Sequence, residues 1–113
     1  MKFLVLMAEE DHFDRWNTAT EAERDRFFEG LRAFTEAVAE RGKVLAGEAL
    51  APPEDAVTLR AGRPPTTGPY AETAEQVGGF YLVELPDLGT AVEAAGLLPD
   101  SVSVEVRPVL DVG

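Results

Sequence analysis

Two segments far apart in the chain, residues 2–8 and 77–85, are apolar at nearly every position, and no other feature restricts the fold as strongly. In the first, Phe3, Val5 and Met7 alternate with Leu4, Leu6 and Ala8; in the second, Tyr81 and Val83 alternate with Phe80 and Leu82. Successive side chains of a strand point to opposite faces, so both segments predict central strands buried on two sides. Helices covering one side of a sheet would leave alternate residues polar. The pattern therefore asks for a second cover over the far face, with residues 109–113 folded back as a lid as the alternative.

The rest of the chain supplies one helical layer. Thr20 and Glu23 have the spacing of a capping box. Phe27, Leu31, Phe34 and Val38 then recur at helical spacing, Phe28 widens the stripe, and Gly42 stands where a left-handed C-terminal residue is expected. The opposite face, with Glu29, Arg32, Glu36 and Glu40, reads as solvated surface. Residues 44–50 form a second strand, Pro52-Pro53 mark a connection, and 56–61 read as an extra strand. Residues 62–76, rich in Gly, Pro and Thr, read as a loop, as do the acidic residues 9–17. Asp87 caps a last helix that turns Leu88, Ala91, Val92 and Ala95 to the sheet. A final strand alternates Val102, Val104 and Val106 with Ser103, Glu105 and Arg107. Without 56–61 the order is βαββαβ, so the expected fold class is α+β, ferredoxin-like with an extra strand.

Composition narrows the function. With 113 residues, 45% of them hydrophobic, the chain fills one core and forms a single domain over 1–113. A formal charge of −11 without a basic cluster argues against direct binding of DNA or RNA. No apolar run reaches membrane-spanning length, and residues 1–8 meet Glu9-Glu10-Asp11 too soon for a signal peptide, so the expected location is cytoplasmic. With no Cys and one His, a closed nitrogen/sulfur metal site is not expected, nor is any other cofactor.

The run Thr66-Thr67-Gly68-Pro69-Tyr70-Ala71-Glu72-Thr73, followed by Gly78-Gly79-Phe80-Tyr81, resembles the signature of the YCII-related proteins. It is most similar to the branch named for an Asp-Gly-Pro-Phe turn, with Thr67 in place of that Asp and Tyr70 in place of that Phe. The segment Leu45-Ala46-Gly47-Glu48-Ala49-Leu50 resembles the family's Gly-Gly-Glu-x-Leu strand. The resemblance implies a dimeric α+β barrel, in which the second cover is another copy of the chain, hence a homodimer. Better-known members pair a His of the first helix with an Asp as an acid/base dyad. The helix through Phe27 and Val38 contains no His, so that dyad has no counterpart there.

Several residues remain candidates for chemistry. Glu48, in a strand of small and apolar residues, is either a proton-transfer group or a solvated, Arg-paired side chain. Glu72 is the second candidate catalytic acid. Arg60 and Arg107 are candidates to hold an anion bidentately, Tyr70 to close a cavity mouth or to cap the core, all beside the 66–76 loop. His12, among Glu9, Glu10, Asp11 and Asp14, is a ligand-binding or acid/base candidate, against the plainer reading of a solvated acidic loop. Trp16 faces either a ligand or a partner subunit. Gly78-Gly79 lacks the spacing of a phosphate loop. Three functions stay open. The protein binds or transforms a small organic molecule, anionic where arginines hold it, by acid/base chemistry; or it is a protein-interaction module, as the resemblance to domains found beside sigma factors implies; or it is a filled structural dimer.

Overall fold

The computed structural model describes residues 1–71 and 73–111. Four strands, β1 (Lys2–Glu10), β2 (Lys43–Ala49), β5 (Glu75–Glu84) and β6 (Ser103–Pro108), form one antiparallel sheet in the order β2-β5-β1-β6. The two doubly apolar segments are its two central strands, paired with Phe3 opposite Val83 and Val5 opposite Tyr81. Two helices cross over neighbouring strands on one face. Helix α2 (Glu21–Arg41) joins β1 to β2 and α3 (Leu88–Ala95) joins β5 to β6, which is the ferredoxin-like α+β arrangement.

The core lies between helices and sheet. Phe3, Val5 and Val83 point up from the strands into Phe34 and Val38 of α2. Helix α3 turns in Ala91, Ala94 and Ala95, with Leu98 just beyond, and leaves Leu88 and Val92 exposed, which corrects the expected inward face. Small side chains let this short helix lie close to the sheet, and 91, 94, 95 and 98 share one helical face. Leu4, Leu6, Phe80 and Leu82, on the far face, are half-buried and have no helix over them. The described part of the C-terminal tail does not cover them: Val109 continues the pairing with Lys2, and Leu110 is exposed. Val112 and Gly113 lie outside the described residues.

Four expectations change. Residues 9–17 are not a loop: β1 runs to Glu10, Asp11 takes a left-handed conformation (φ 54°), and a further helix, α1 (His12–Thr18), follows. Such a short helix without strong helix formers owes its stability to packing, here Trp16 edge-on against Phe27 and Phe28 of α2. Trp16 is thus held within its own chain, with the Arg24 guanidinium over its ring. Gly42 is extended, not left-handed; glycine is needed there because a Cβ would run into the carbonyl oxygen of Glu84. The extra strand shrinks to β3 (Val57–Thr58), which pairs only with β4 (Thr66–Thr67) in a separate hairpin. Pro64 and Pro65 carry no amide hydrogen and stop that ladder from lengthening.

The starts of α2 and α3 are those expected. Thr20 and Glu23 form a complete capping box, and Asp87 Oδ1 accepts from the Thr90 amide at 2.7 Å. Hydrogen bonds from the Thr20 backbone and hydroxyl hold the Glu23 carboxyl below its ordinary 4.5, and those from Thr90 hold Asp87 below 3.8. A carboxyl with a depressed folded pKa stabilises above its ordinary value and loses that contribution as pH falls through the folded one. The melting temperature should therefore drop on acidification below about pH 4.5, and Glu23→Gln should flatten that slope. Thr20→Ala, followed by urea unfolding at pH 7, should cost about 1 kcal/mol.

Candidate functional site

The left-handed turn at Asp11 folds α1 back over the end of β1, so that His12 lies above the sheet next to Glu9. Glu9 Oε2 lies 2.7 Å from His12 Nδ1, and Glu9 Oε1 accepts from Arg15 Nη1 at 3.3 Å. The carboxylate is only 8% exposed and the imidazole 23%. A carboxylate this buried is costly unless its oxygens are occupied, and two donors from α1, the His12 ring and the Arg15 guanidinium, occupy them. An ionised carboxylate only accepts, so Nδ1 carries the shared hydrogen and Nε2 is left as the free basic nitrogen of a neutral ring. Phe13, Trp16 and Phe27 surround the imidazole at centroid distances of 5.2, 6.4 and 6.0 Å, and limit its rotation.

Beside His12 a cavity of about 190 Å³ opens between the helices and the sheet. Phe27 and Leu31 of α2 form its roof, Met7 and Glu9 of β1 one wall, Tyr81 another, and the backbone at Gly47, Gly78 and Gly79 its floor. A β-bulge helps to shape it. Met7 pairs with Gly79 and Ala8 with Val77, so Gly78 is the unpaired residue, and the His12 ring packs directly over it. Tyr81 packs on Phe34 with the rings tilted, 4.9 Å between centroids, and lies against Gly47. Burial pushes its phenol pKa up, so the hydroxyl stays protonated. A second, more polar cleft shares Glu9, His12 and Phe27 with this cavity and leads out past Arg15, Arg26 and Ser101.

The residues singled out from the sequence fall in three places. His12 borders the cavity. Glu48 borders it too, but pairs with Phe80, which pairs with Leu6, so its side chain belongs to the far face of the sheet. Arg60 and Tyr70 come together in the hairpin: Arg60 donates to Thr66 Oγ1 at 3.0 Å and to the Tyr70 carbonyl at 3.1 Å, its guanidinium 5.8 Å from the Tyr70 ring centroid. Neither lines the His12 cavity. Arg107 pairs with Glu105 at 2.6 Å on β6, at the opposite edge of the sheet from Glu48. Glu72 lies outside the described residues. Among the described residues, no three of the acidic and His side chains gather around one point. The sequence grouped four acids around His12 without separating Glu9 from its neighbours, and read Tyr81 only as an apolar strand residue.

Gly47 tests this geometry. An added Cβ would come within 2.5 Å of Tyr81 Cδ1, and the ring, backed by Phe34, has little room to yield. Gly47→Ala should cost about 1–3 kcal/mol in urea unfolding and displace the ring. At Gly78 the same addition meets His12 at an ordinary 3.6 Å, so Gly78→Ala should change stability by less than about 1 kcal/mol.

Comparison with known proteins agrees with this architecture in extent. The YCII-related domain matches residues 1–112. An uncharacterised protein of Rhizobium meliloti (strain 1021) is 37% identical over 94 residues, covering 77% of this chain and 76% of that protein.

Proposed function

The chain belongs to the YCII-related family, and from that premise we propose that it binds a small organic molecule in the His12 cavity and moves a proton on it. One observation carries the reading. A buried carboxylate holds Nδ1 of the chain's single imidazole, leaving Nε2 for a ligand at the edge of a largely apolar cavity. This is the arrangement of an oriented general base: Glu9 sets the tautomer and stabilises the imidazolium, Arg15 fixes Glu9, and Nε2 takes and returns the proton. The dyad that the resemblance implied, sought in the long helix, has its counterpart one helix earlier, in α1, with Glu in place of Asp.

The same reading includes a homodimer built on the far face of the sheet. Leu4, Leu6, Phe80 and Leu82 form an apolar strip there, flanked by Glu48 on one edge and by Glu105 and Arg107 on the other. An apolar core within a charged rim is the composition of a subunit interface. A protein-interaction role is the second reading. It is favoured by the hairpin, which displays Val57, Leu59 and Tyr70 at 65%, 74% and 80% exposure.

Two measurements check the first reading. The ¹⁵N spectrum of the sole imidazole should show the proton of the neutral form on Nδ1; a proton on Nε2 would refute the assigned base. Against a panel of small carbonyl compounds in D₂O, His12→Gln should slow proton exchange at least about 100-fold. For the dimer, sedimentation equilibrium at micromolar concentration should return twice the chain mass, and a stable monomer would end that part of the proposal.

A further inference from the structure

Resting on the proton-transfer reading, we infer that the His12 cavity selects an uncharged, ring-sized carbonyl compound over a carboxylate, with the Tyr81 hydroxyl as the group that binds the carbonyl oxygen. Size comes first. An apolar protein cavity of about 150 Å³ admits benzene. At about 190 Å³ this one has room for a six-membered ring with an oxygen substituent.

Charge comes next. No Lys or Arg lines the cavity, and Arg15, in the adjoining cleft, is engaged by Glu9. A ligand carboxylate inside would have no cation of its own and would lie close to the buried Glu9 carboxylate, in a protein of net charge −11. Desolvating an unpaired anion beside a like charge is strongly unfavourable. Arg60 and Arg107, the cations that sequence reasoning offered for an anionic ligand, are occupied outside this cavity.

Polar chemistry comes last. Tyr81 is the only hydroxyl-bearing residue lining the cavity, and among the described residues it makes no hydrogen bond. Burial keeps it in the protonated, donating form. His12 sits over Gly78, three residues from Tyr81 along β5, a backbone span of about 10 Å. The glycine at 79 lies between, so a flat ring can bridge base and donor. In the step this geometry serves, Nε2 takes the proton from the carbon next to the carbonyl. The C–H bonding pair becomes the C=C bond, and the carbonyl π pair moves to oxygen. Tyr81 donates to the enolate oxygen, and Nε2 returns the proton to carbon, so no electron acceptor or second reactant is needed.

The experiment compares cyclohexanone with cyclohexanecarboxylate, which share a ring and differ in charge. Titrations followed on the imidazole resonances of His12 should show the ketone binding at least 10-fold more tightly than the carboxylate; equal or tighter carboxylate binding overturns the inference. Tyr81→Phe, which keeps the ring on Phe34, should weaken ketone binding about 2- to 10-fold and slow α-deuterium exchange by a larger factor. Unchanged binding and exchange in that variant remove Tyr81 from the site. Leu31→Trp should fill the cavity and abolish ketone binding, and persistent binding would place the ligand elsewhere. Selective ketone binding without any exchange in the wild type would overturn the proton-transfer reading and leave the ligand class standing.

Discussion

The antiparallel pairing of β1 with β5 is the contact on which everything else rests. It sets Phe3 beside Val83 and Val5 beside Tyr81, giving the helices an apolar floor. It also sets Leu4 beside Leu82 and Leu6 beside Phe80 on the other side. A slip of β1 by one residue would place Leu4 and Leu6 under the helices beside Val83 and turn Phe3 and Val5 to the far face. Phe34 and Val38 would then lose the neighbours they are packed against. Fixing this register fixes which residues can reach the cavity and which belong to the open face.

The site arises where that regular pairing breaks. Beyond Met7 the extra residue Gly78 bulges from β5, and Asp11 turns left-handed just after β1. Each irregularity is small, but together they fold α1 back over the bulge. Glu9, still on the strand, then meets His12 and Arg15 from the helix within one turn of chain. A left-handed non-glycine residue has a conformational cost, and Asp carries it more easily than most. The buried carboxylate with its two donors offsets that cost, since a Glu9 left alone at this depth would be strongly destabilising.

Much of the frame was legible from the residues. The capping box at Thr20, the Asp87 cap, the apolar stripe of α2 and the central place of the two apolar strands are local patterns, and local hydrogen bonding and periodicity reproduce them in the fold. The failures share one cause. Helix α1 has no helical periodicity of its own and exists because Trp16 docks on Phe27 and Phe28. The inward face of α3 turned toward its alanines because the space above the sheet admits only small side chains. Gly42 does end α2, but in an extended conformation, and glycine stands there because β5 comes too close for a Cβ.

Sequence alone determined the α+β class, the single small core and the sheet's two apolar faces, because composition and alternation are properties of neighbouring residues, and the motifs at 45–50, 66–73 and 78–81 carried the resemblance to the family. Only the tertiary structure decided which polar residues meet. Glu9 and His12 stood among five candidates in one acidic stretch, and nothing in their spacing ranks them above Glu10, Asp11 or Asp14 until Asp11 turns the chain. Tyr81 reads as one more apolar strand residue until the fold makes it part of a cavity wall. Glu48 and Arg107, both attractive in sequence, end on opposite edges of the sheet, because α2 and α3 each cross over a central strand and leave β2 and β6 outside the pair β5-β1.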